Sequence, residues 1–364
     1  MDMEITIPQD DPVRLLSAQL EELDYRKLYH AYSSQGRKSA AEPRIIFEVL
    51  VYGYMCGIYS TRKWEEACWK RVDFMWLLQG EPVPDYSTFA RFRTGRTKEA
   101  VKDLFYQFVR RLEEMGETEH EEVFIDGTKI ESRANRYTFV WRKTTEKYLA
   151  KVKDTVRGEF ACRGISGNVA PKKLRAPVSS EKASCEEAGI QFVHGAGHHK
   201  PPEQRAYEKL SALLEKWEGY EKKLFTMGNC RSSYSKTDPD AAFMHMKEDH
   251  MRSGQLKPGY NVQIAVNSEY ITGAAAFPNR TDSGTLCPFL RRLEQQHRAK
   301  YRDIAADAGY ESLDNYLYLE DNGQISFIKP INYESRKTRK FKQQIGRREN
   351  MSYDIQKDCY ILCG

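Results

Sequence analysis

Two short apolar runs, each ending at an aspartate, constrain the fold of this chain more than any other feature. Residues 123–128 read Val-Phe-Ile-Asp-Gly-Thr, and residues 304–310 read Ile-Ala-Ala-Asp-Ala-Gly-Tyr. Short apolar stretches bounded by turn-forming residues are typical of buried strands. The sequence therefore predicts that Asp126 and Asp307 stand at the ends of two strands. A carboxylate in such a place is costly unless it is paired or binds a metal ion.

The two aspartates together favour a divalent-metal site. Mg²⁺ takes one or two protein carboxylates and completes its coordination shell with water and phosphate oxygens. Either aspartate taken alone could equally cap a helix or begin a turn. The pair predicts that Asp126 and Asp307 are metal ligands.

Length and composition bound the class of protein. A chain of 364 residues, of which 40% are hydrophobic, is long enough for two or three domains with real cores. No apolar stretch reaches the length of a membrane-spanning helix, and the acidic N-terminus is unlike a signal peptide. The eight scattered cysteines are typical of reduced thiols. We expect a cytoplasmic protein with no membrane partner.

The spacing of apolar residues predicts a helical first part and a mixed second part. Residues 12–116 look all-helical, and strands begin at Glu122. A long polar stretch then extends to about residue 256, with a loop of low order over residues 161–202. Within it, residues 237–241 are expected to begin a helix. The remaining predicted elements are a hairpin (262–266 and 271–277), a helix (282–298), the Asp307 strand, a helix (312–321) and a strand (325–328).

Without the polar stretch, this is the element order of a ribonuclease H-like fold. We therefore predict an α+β protein with an all-helical N-terminal domain over residues 1–118, which we expect to bind DNA. A ribonuclease H-like α/β catalytic domain follows over residues 119–364, with a helical insertion over about 142–256 after the first strand. That fold places two aspartates on neighbouring central strands and a third acid on a following helix. Asp126 and Asp307 can therefore lie side by side.

Several segments, in the right order, resemble the DDE transposases of bacterial insertion sequences, most closely the IS1182-type group among the IS4/IS5-like families. The segments are residues 57–62, 84–89, 126–131, 257–263 and 306–312. The resemblance implies that Asp126 and Asp307 are catalytic acids that bind Mg²⁺ (or Mn²⁺). It also implies binding, cleavage and strand transfer of double-stranded DNA at terminal inverted repeats and target sites. A homodimer assembled on DNA ends and an association with the bacterial nucleoid are further implications.

One departure from the family pattern concerns its third acid. Relatives carry a glutamate on a late helix, in a context like Tyr-x2-Arg-x3-Glu-x6-Lys. Tyr333 and Arg336 have the first spacing, but Lys340 stands at the glutamate position and Arg347 at the last position. We therefore expect a C-terminally truncated transposase in which the third carboxylate and the last catalytic helix are missing. The activity of this form is left open.

Basic residues form two groups of candidate DNA contacts. The net charge of +5 is mild, but a run without acids lies near the C-terminal end. Such a run predicts contacts to the phosphate backbone, and a solvated surface loop is the alternative. The run comprises Arg336, Lys337, Arg339, Lys340, Lys342, Arg347 and Arg348. In the helical part, the candidates are Arg62, Lys63, Arg91 and Arg93. The short helices and the tight turn in this part are compatible with a DNA-binding unit or with an ordinary helical bundle.

Three functions therefore stay open. The first is a DDE transposase. The second is a non-catalytic DNA-binding fragment that inhibits an intact transposase. The third is a ribonuclease H-like nuclease unrelated to mobile DNA.

Overall fold

The computed structural model describes residues 7–32, 39–165, 167–195, 199–229, 231–246, 254–344 and 346–362. Helices come first, as the apolar spacing predicts. They are α1 (Pro12–Glu21), α2 (Arg26–His30), α3 (Pro43–Met55), α4 (Thr61–Lys70), α5 (Val72–Leu77), α6 (Tyr86–Arg91) and α7 (Val101–Glu114).

The helical part has its own aromatic core. Trp64 is fully buried and contacts Phe89 edge-on, with the ring centroids 5.8 Å apart. Its indole Nε1 donates a hydrogen bond to the carbonyl of Ile58 at 2.8 Å. Glu48 is also fully buried, and Arg44 neutralises it at 2.7 Å. Trp69, in contrast, is 63% exposed, so it does not belong to this core.

A mixed sheet follows. Its strands are β1 (Glu122–Glu131), β4 (Ala242–Met244), β5 (Lys257–Asn267), β6 (Tyr270–Phe277), β7 (Asp303–Ala306) and β8 (Ile325–Ile328). The spatial order is β4-β5-β1-β7-β8, and β6 also pairs with β5. The strand β1 is antiparallel to β5 and parallel to β7, and β7 is parallel to β8. This topology confirms the predicted α+β class and is consistent with the ribonuclease H-like fold.

One face of the sheet packs on helix α11 (Leu286–His297), and the other face is open. Val123 and Ile125 of β1 are buried against Phe289 of that helix. Their neighbours on the opposite face are exposed: Phe124 to 52%, and Phe327 of β8 to 58%. Among the described residues, no helix therefore covers the open face. The other elements of this part are the helix α12 (Leu313–Asp321) and two short helices, α13 (Tyr333–Arg336) and α14 (Arg339–Lys342). A hairpin of β9 (Met351–Asp354) and β10 (Cys359–Leu362) follows them.

The stretch between β1 and β5 is helical and has a separate core. It contains β2 (Phe139–Trp141), α8 (Arg142–Cys162), α9 (Pro171–Glu187), α10 (Pro202–Met227) and β3 (Ser233–Ser235). Leu174 and Trp217 are buried in that core together with Val156.

Two sequence predictions in this stretch are wrong. The expected loop over residues 161–202 contains the helix α9, because Leu174 and Cys185 pack inward at helical spacing despite Pro177 in its middle. The residues 237–241 form a turn between β3 and β4 instead of beginning a helix. The carboxylate of Asp238 accepts hydrogen bonds from Ser132 at 2.5 Å and from Tyr260 at 2.6 Å, so it joins the turn to β1 and β5.

No helix of the described residues is long and apolar enough to cross a membrane.

Candidate metal centre

The two aspartates predicted from the sequence lie on adjacent parallel strands, at the point where the pairing of those strands ends. Asp307 follows the last residue of β7, as predicted, but β1 continues to Glu131, so the prediction that Asp126 ends its strand is wrong. The parallel pairing of β1 with β7 ends at the residue pair Ile125 and Ala306. The next residue in each segment is an aspartate: Asp126, which is inside β1, and Asp307, which directly follows β7. Ligands of open α/β sheets commonly bind outside such strand ends, where neighbouring chains diverge.

Backbone amides hold both aspartate side chains. Asp126 Oδ1 accepts from the amide of Gly127 at 2.7 Å. Asp307 Oδ1 accepts from the amide of Gly309 at 2.7 Å and so caps a short 3₁₀ turn. The capping role that we considered for each aspartate alone therefore applies to Asp307. It does not compete with metal binding, because a carboxylate has two oxygens with about four acceptor positions.

A groove of about 570 Å³ runs over the open face of the sheet and contains both aspartates. Its walls are mostly apolar and include Phe124, Ile271 and Phe327. The aspartates thus stand in a concave surface that a substrate can reach from solvent.

A third carboxylate, that of Asp282, lies near Asp307 but on the helix-covered face of the sheet, whereas the side chain of Asp126 points to the open face. Asp282 lies in the turn between β6 and α11, and it is half-buried. A Cβ atom built on Gly309 would lie 3.0 Å from Asp307 Oδ1 and 3.2 Å from Asp282 Oδ2, so these two carboxylates flank one glycine. The sequence analysis missed Asp282.

A network of fully buried polar side chains lies beside Asp282 on the helix-covered face of the sheet. The Tyr310 hydroxyl donates to Gln263 Oε1, and Gln263 Nε2 donates to Asn261 Oδ1 at 2.9 Å. Burial, and then the charges of Asp282, Asp126 and Asp307, raise the pKa of Tyr310 far above its ordinary value. The hydroxyl is therefore protonated at neutral pH and can donate a hydrogen bond.

Gly127 makes this arrangement possible because it has no side chain. A Cβ atom at this position would lie 2.5 Å from Gln263 Nε2, 2.8 Å from Asp282 Oδ1 and 3.0 Å from the Tyr310 hydroxyl oxygen. Real Cβ atoms essentially never approach another atom so closely, so the network and the glycine depend on each other.

The chemistry of these side chains fits a hard divalent cation. Carboxylate oxygens are the ligands that Mg²⁺ and Mn²⁺ prefer. Among the described residues, only one set of three possible metal ligands has ligand atoms that all lie within 4.8 Å of one another. The three aspartates are not that set.

That one set, Glu113, His120 and His297, belongs to a different place. His120 precedes Asp126 by six positions along an extended strand, which is roughly 20 Å. His297 Nδ1 lies 2.7 Å from Glu113 Oε1, and its Nε2 lies 3.0 Å from the carbonyl oxygen of Thr272. These contacts join α7 to α11 and β6, at the far end of the sheet from the aspartates.

The basic residues predicted to contact DNA lie on the surface in two groups. In the helical part, Arg62 lies over the Tyr86 ring at 5.1 Å and Arg93 over the Trp64 ring at 5.3 Å. Lys63 and Arg91 are exposed. The C-terminal run is exposed except for Arg347, which is partly buried. Two of its members are in ion pairs, Lys337 with Glu334 at 3.2 Å and Arg347 with Glu349 at 3.1 Å.

Two family models match this sequence. Residues 1–95 match the family described as Transposase domain (DUF772), and residues 231–360 match the family described as Transposase DDE domain. The second match contains Asp282 and Asp307, whereas Asp126 lies in the part between the two matches. No curated protein matches the chain significantly, and no solved structure does so either.

Proposed function

Since this chain is a DDE transposase of the insertion-sequence type, a metal-dependent enzyme that processes DNA, we propose that it binds the ends of its own element and cuts and joins DNA there. One observation carries this proposal. The register of β1 against β7 ends immediately before Asp126 and Asp307, in a chain whose helical part and sheet part both match transposase domains. The same matches leave little reason to consider a nuclease unrelated to mobile DNA.

In the proposed mechanism, Asp126 and Asp307 hold the divalent cations, Mg²⁺ or Mn²⁺. When bound, such cations activate a water or a 3′-hydroxyl and stabilise the leaving oxygen of an in-line displacement. The amides of Gly127 and Gly309 orient the two carboxylates. The open groove beside them is the proposed path of the DNA strand.

We further propose that different parts of the chain have different roles. Residues 1–118 form a helical domain that binds DNA through Arg62, Lys63, Arg91 and Arg93. Residues 119–364 form the catalytic domain, with residues 142–256 as its insertion. The basic run from Arg336 to Arg348 contacts phosphates near the catalytic domain, which its exposure supports. Cutting two element ends in one reaction requires two active sites, so we propose a homodimer on DNA that is associated with the nucleoid, as expected for the IS1182-type group.

A second candidate function is DNA binding without cleavage. It is favoured by the open sheet face, since Phe124 and Phe327 are more than half exposed and the described residues place no helix with an acid over them. Such a protein would occupy element ends and inhibit an intact transposase.

The two functions differ in one experiment. Supercoiled plasmid carrying the DNA that flanks the gene on both sides is incubated with the purified chain and Mg²⁺ or Mn²⁺, and a plasmid with shuffled flanks serves as the substrate control. We expect metal-dependent nicks at the flanks, and we expect Asp126→Asn and Asp307→Asn to abolish them. The matched control is Asp303→Asn, which removes the same charge at the other end of β7, where Arg302 pairs with it at 3.0 Å.

Binding to the flanks without any nicking would favour the inhibitor function. Nicking that survives Asp126→Asn would show that the assignment of the catalytic site is wrong.

A further inference from the structure

We propose that the surface along which α8 and α10 of the insertion meet binds the phosphate backbone of duplex DNA. This inference rests on the proposed function, because it adds a contact to the DNA substrate of that function. It concerns residues 142–230, which lie between the two family matches.

The first argument is the charge of the insertion. Residues 142–230 contain 17 basic and 11 acidic residues, an excess of six, whereas the net charge of the whole chain is +5. The rest of the chain is therefore close to neutral in total. A positive excess confined to one segment is typical of a contact to nucleic acid, because each phosphate that a lysine or arginine neutralises releases a counterion.

The second argument is the shape of the surface, which we call the α8–α10 seam. Tyr148 stacks on Tyr220 with the ring centroids 6.2 Å apart and the planes at 14°. Glu159 pairs with Lys209, eleven residues further along α8 and eleven residues back along α10, so the two helices are antiparallel. At 1.5 Å per residue, these two contacts lie roughly 17 Å apart. That length corresponds to about five base pairs of duplex DNA.

The third argument is the position of the lysines on the seam. Lys151 Nζ lies 5.8 Å from the centroid of the Tyr148 ring. Lys223 Nζ lies 4.9 Å from the centroid of the Tyr220 ring. Lys216 stands one helical turn before Tyr220, so it shares that face of α10. Because the helices are antiparallel, Lys151 and Lys216 lie on one side of the tyrosine pair along the seam, and Lys223 lies on the other side.

The acidic side chains of the described residues do not neutralise these lysines. Within the described part of the chain, Lys151, Lys216 and Lys223 are in no ion pair. Lys151 and Lys216 are exposed, and Lys223 is partly exposed. On α9, in contrast, Arg175 pairs with Glu218 of α10 at 2.8 Å. The seam therefore presents cations that are available to a ligand.

The tyrosine pair prepares this surface for phosphate. Cation–π contacts restrain the ammonium groups of Lys151 and Lys223, which reduces the side-chain freedom that is lost on binding. Tyr148 is 47% exposed, and tyrosine hydroxyl groups donate to phosphate oxygens in protein–DNA interfaces. Lysine contacts a phosphate as a point charge, so we expect binding that does not depend on DNA sequence.

The base of the insertion fixes the seam relative to the catalytic sheet. The strand β2 leads directly into α8, and its Phe139 and Trp141 contact Phe243 of β4, with ring centroids 5.9 and 6.0 Å apart. The strand β4 pairs with β5 of the sheet. DNA on the seam is therefore held in a defined position relative to the sheet that contains Asp126.

The test measures binding of the full chain to a fluorescent duplex of random sequence, without metal, at several salt concentrations. In the seam variant, Lys151→Gln, Lys216→Gln and Lys223→Gln are combined. We expect the slope of log K against log salt to fall by up to about 3 and the affinity at low salt to fall roughly tenfold or more. The matched control combines Lys172→Gln, Lys173→Gln and Lys182→Gln, which removes the same charge from exposed positions on α9 and should leave the slope nearly unchanged. Equal melting temperatures would confirm that both variants are folded.

A second measurement needs no variant. Acetylation of lysines by a water-soluble ester, followed by mass spectrometry, should be slower at Lys151, Lys216 and Lys223 when DNA is bound, and unaffected at Lys172 and Lys173. An unchanged slope, with the seam lysines labelled equally with and without DNA, would overturn the proposal and leave an acidic protein surface as the partner of the seam. The proposed function would then stand, with its DNA contacts elsewhere. If the wild-type chain bound no DNA at all, the proposed function would itself be wrong.

Discussion

Replacing Gly127 by alanine is the sharpest test of the packing beside Asp282. The added methyl group would meet three polar atoms at 2.5, 2.8 and 3.0 Å, those of Gln263, Asp282 and Tyr310. Gln263 and Tyr310 are fully buried and hydrogen-bonded to each other, so neither can move without breaking a bond. Overpacking costs about 1–3 kcal/mol, and a buried hydrogen bond that is lost adds about 1 kcal/mol. We therefore expect the free energy of unfolding to fall by about 2–4 kcal/mol.

The assay is urea unfolding followed by circular dichroism, with Gly158→Ala as the matched control. Gly158 lies on the exposed surface of α8, and nothing stands within 4 Å of the position of its Cβ. Alanine is about 1 kcal/mol more favourable than glycine inside a helix, so the control should be neutral or stabilising. If Gly127→Ala were as stable as the wild type, the close packing of glycine, amide and carboxylate described above would be refuted.

Three further predictions concern pH, a buried histidine and DNA. Burial opposes ionisation of Asp238, but its hydrogen bonds, among them one from Tyr260, lower its pKa below the ordinary value. The ionised carboxylate therefore stabilises the fold above the unfolded-state pKa, near pH 4, and this stabilisation is lost as the pH falls further. When the free energy of unfolding is measured at a series of acidic pH values, it should depend less on pH in Asp238→Asn than in the wild type. His297→Phe should lower the free energy of unfolding by about 1–3 kcal/mol, because two buried hydrogen bonds are lost; an unchanged urea midpoint would contradict this. Replacing Arg339 and Lys340 by alanine should weaken DNA binding and reduce the slope of log K against log salt by up to about 2. The measurement is filter binding at several salt concentrations, and an unchanged slope would mean that these residues belong to a solvated loop that does not contact DNA.

Much of the catalytic sheet could be predicted because its signals are local. The strand that contains Asp126, the hairpin and the strand that precedes Asp307 each have a clear apolar pattern, although the first continues to Glu131 instead of ending at Asp126. The side-by-side position of the two aspartates then follows from the order of the elements, since parallel strands in this fold are neighbours.

What could not be predicted depends on contacts between distant residues. Asp282 gains its place only because two amides of β5 hold it beside Gly309, and no local pattern records that. The helix α9 forms in a stretch rich in loop-forming residues because Leu174 is buried against α8 and α10. Asp238 looks like a helix start, but its carboxylate accepts hydrogen bonds from Ser132, directly after β1, and from Tyr260 of β5.

We propose above all that a divalent cation binds between Asp126 and Asp307, where the pairing of β1 with β7 ends. Iron-mediated cleavage of the polypeptide tests it most directly, because Fe²⁺ replaces Mg²⁺ at oxygen-ligand sites and cuts the nearby backbone in the presence of ascorbate and peroxide. We expect cuts clustered around residues 126 and 307, suppressed by excess Mg²⁺ and lost in Asp126→Asn. Cuts confined to the neighbourhood of His120 and His297 would place the cation at the opposite end of the sheet and contradict the account.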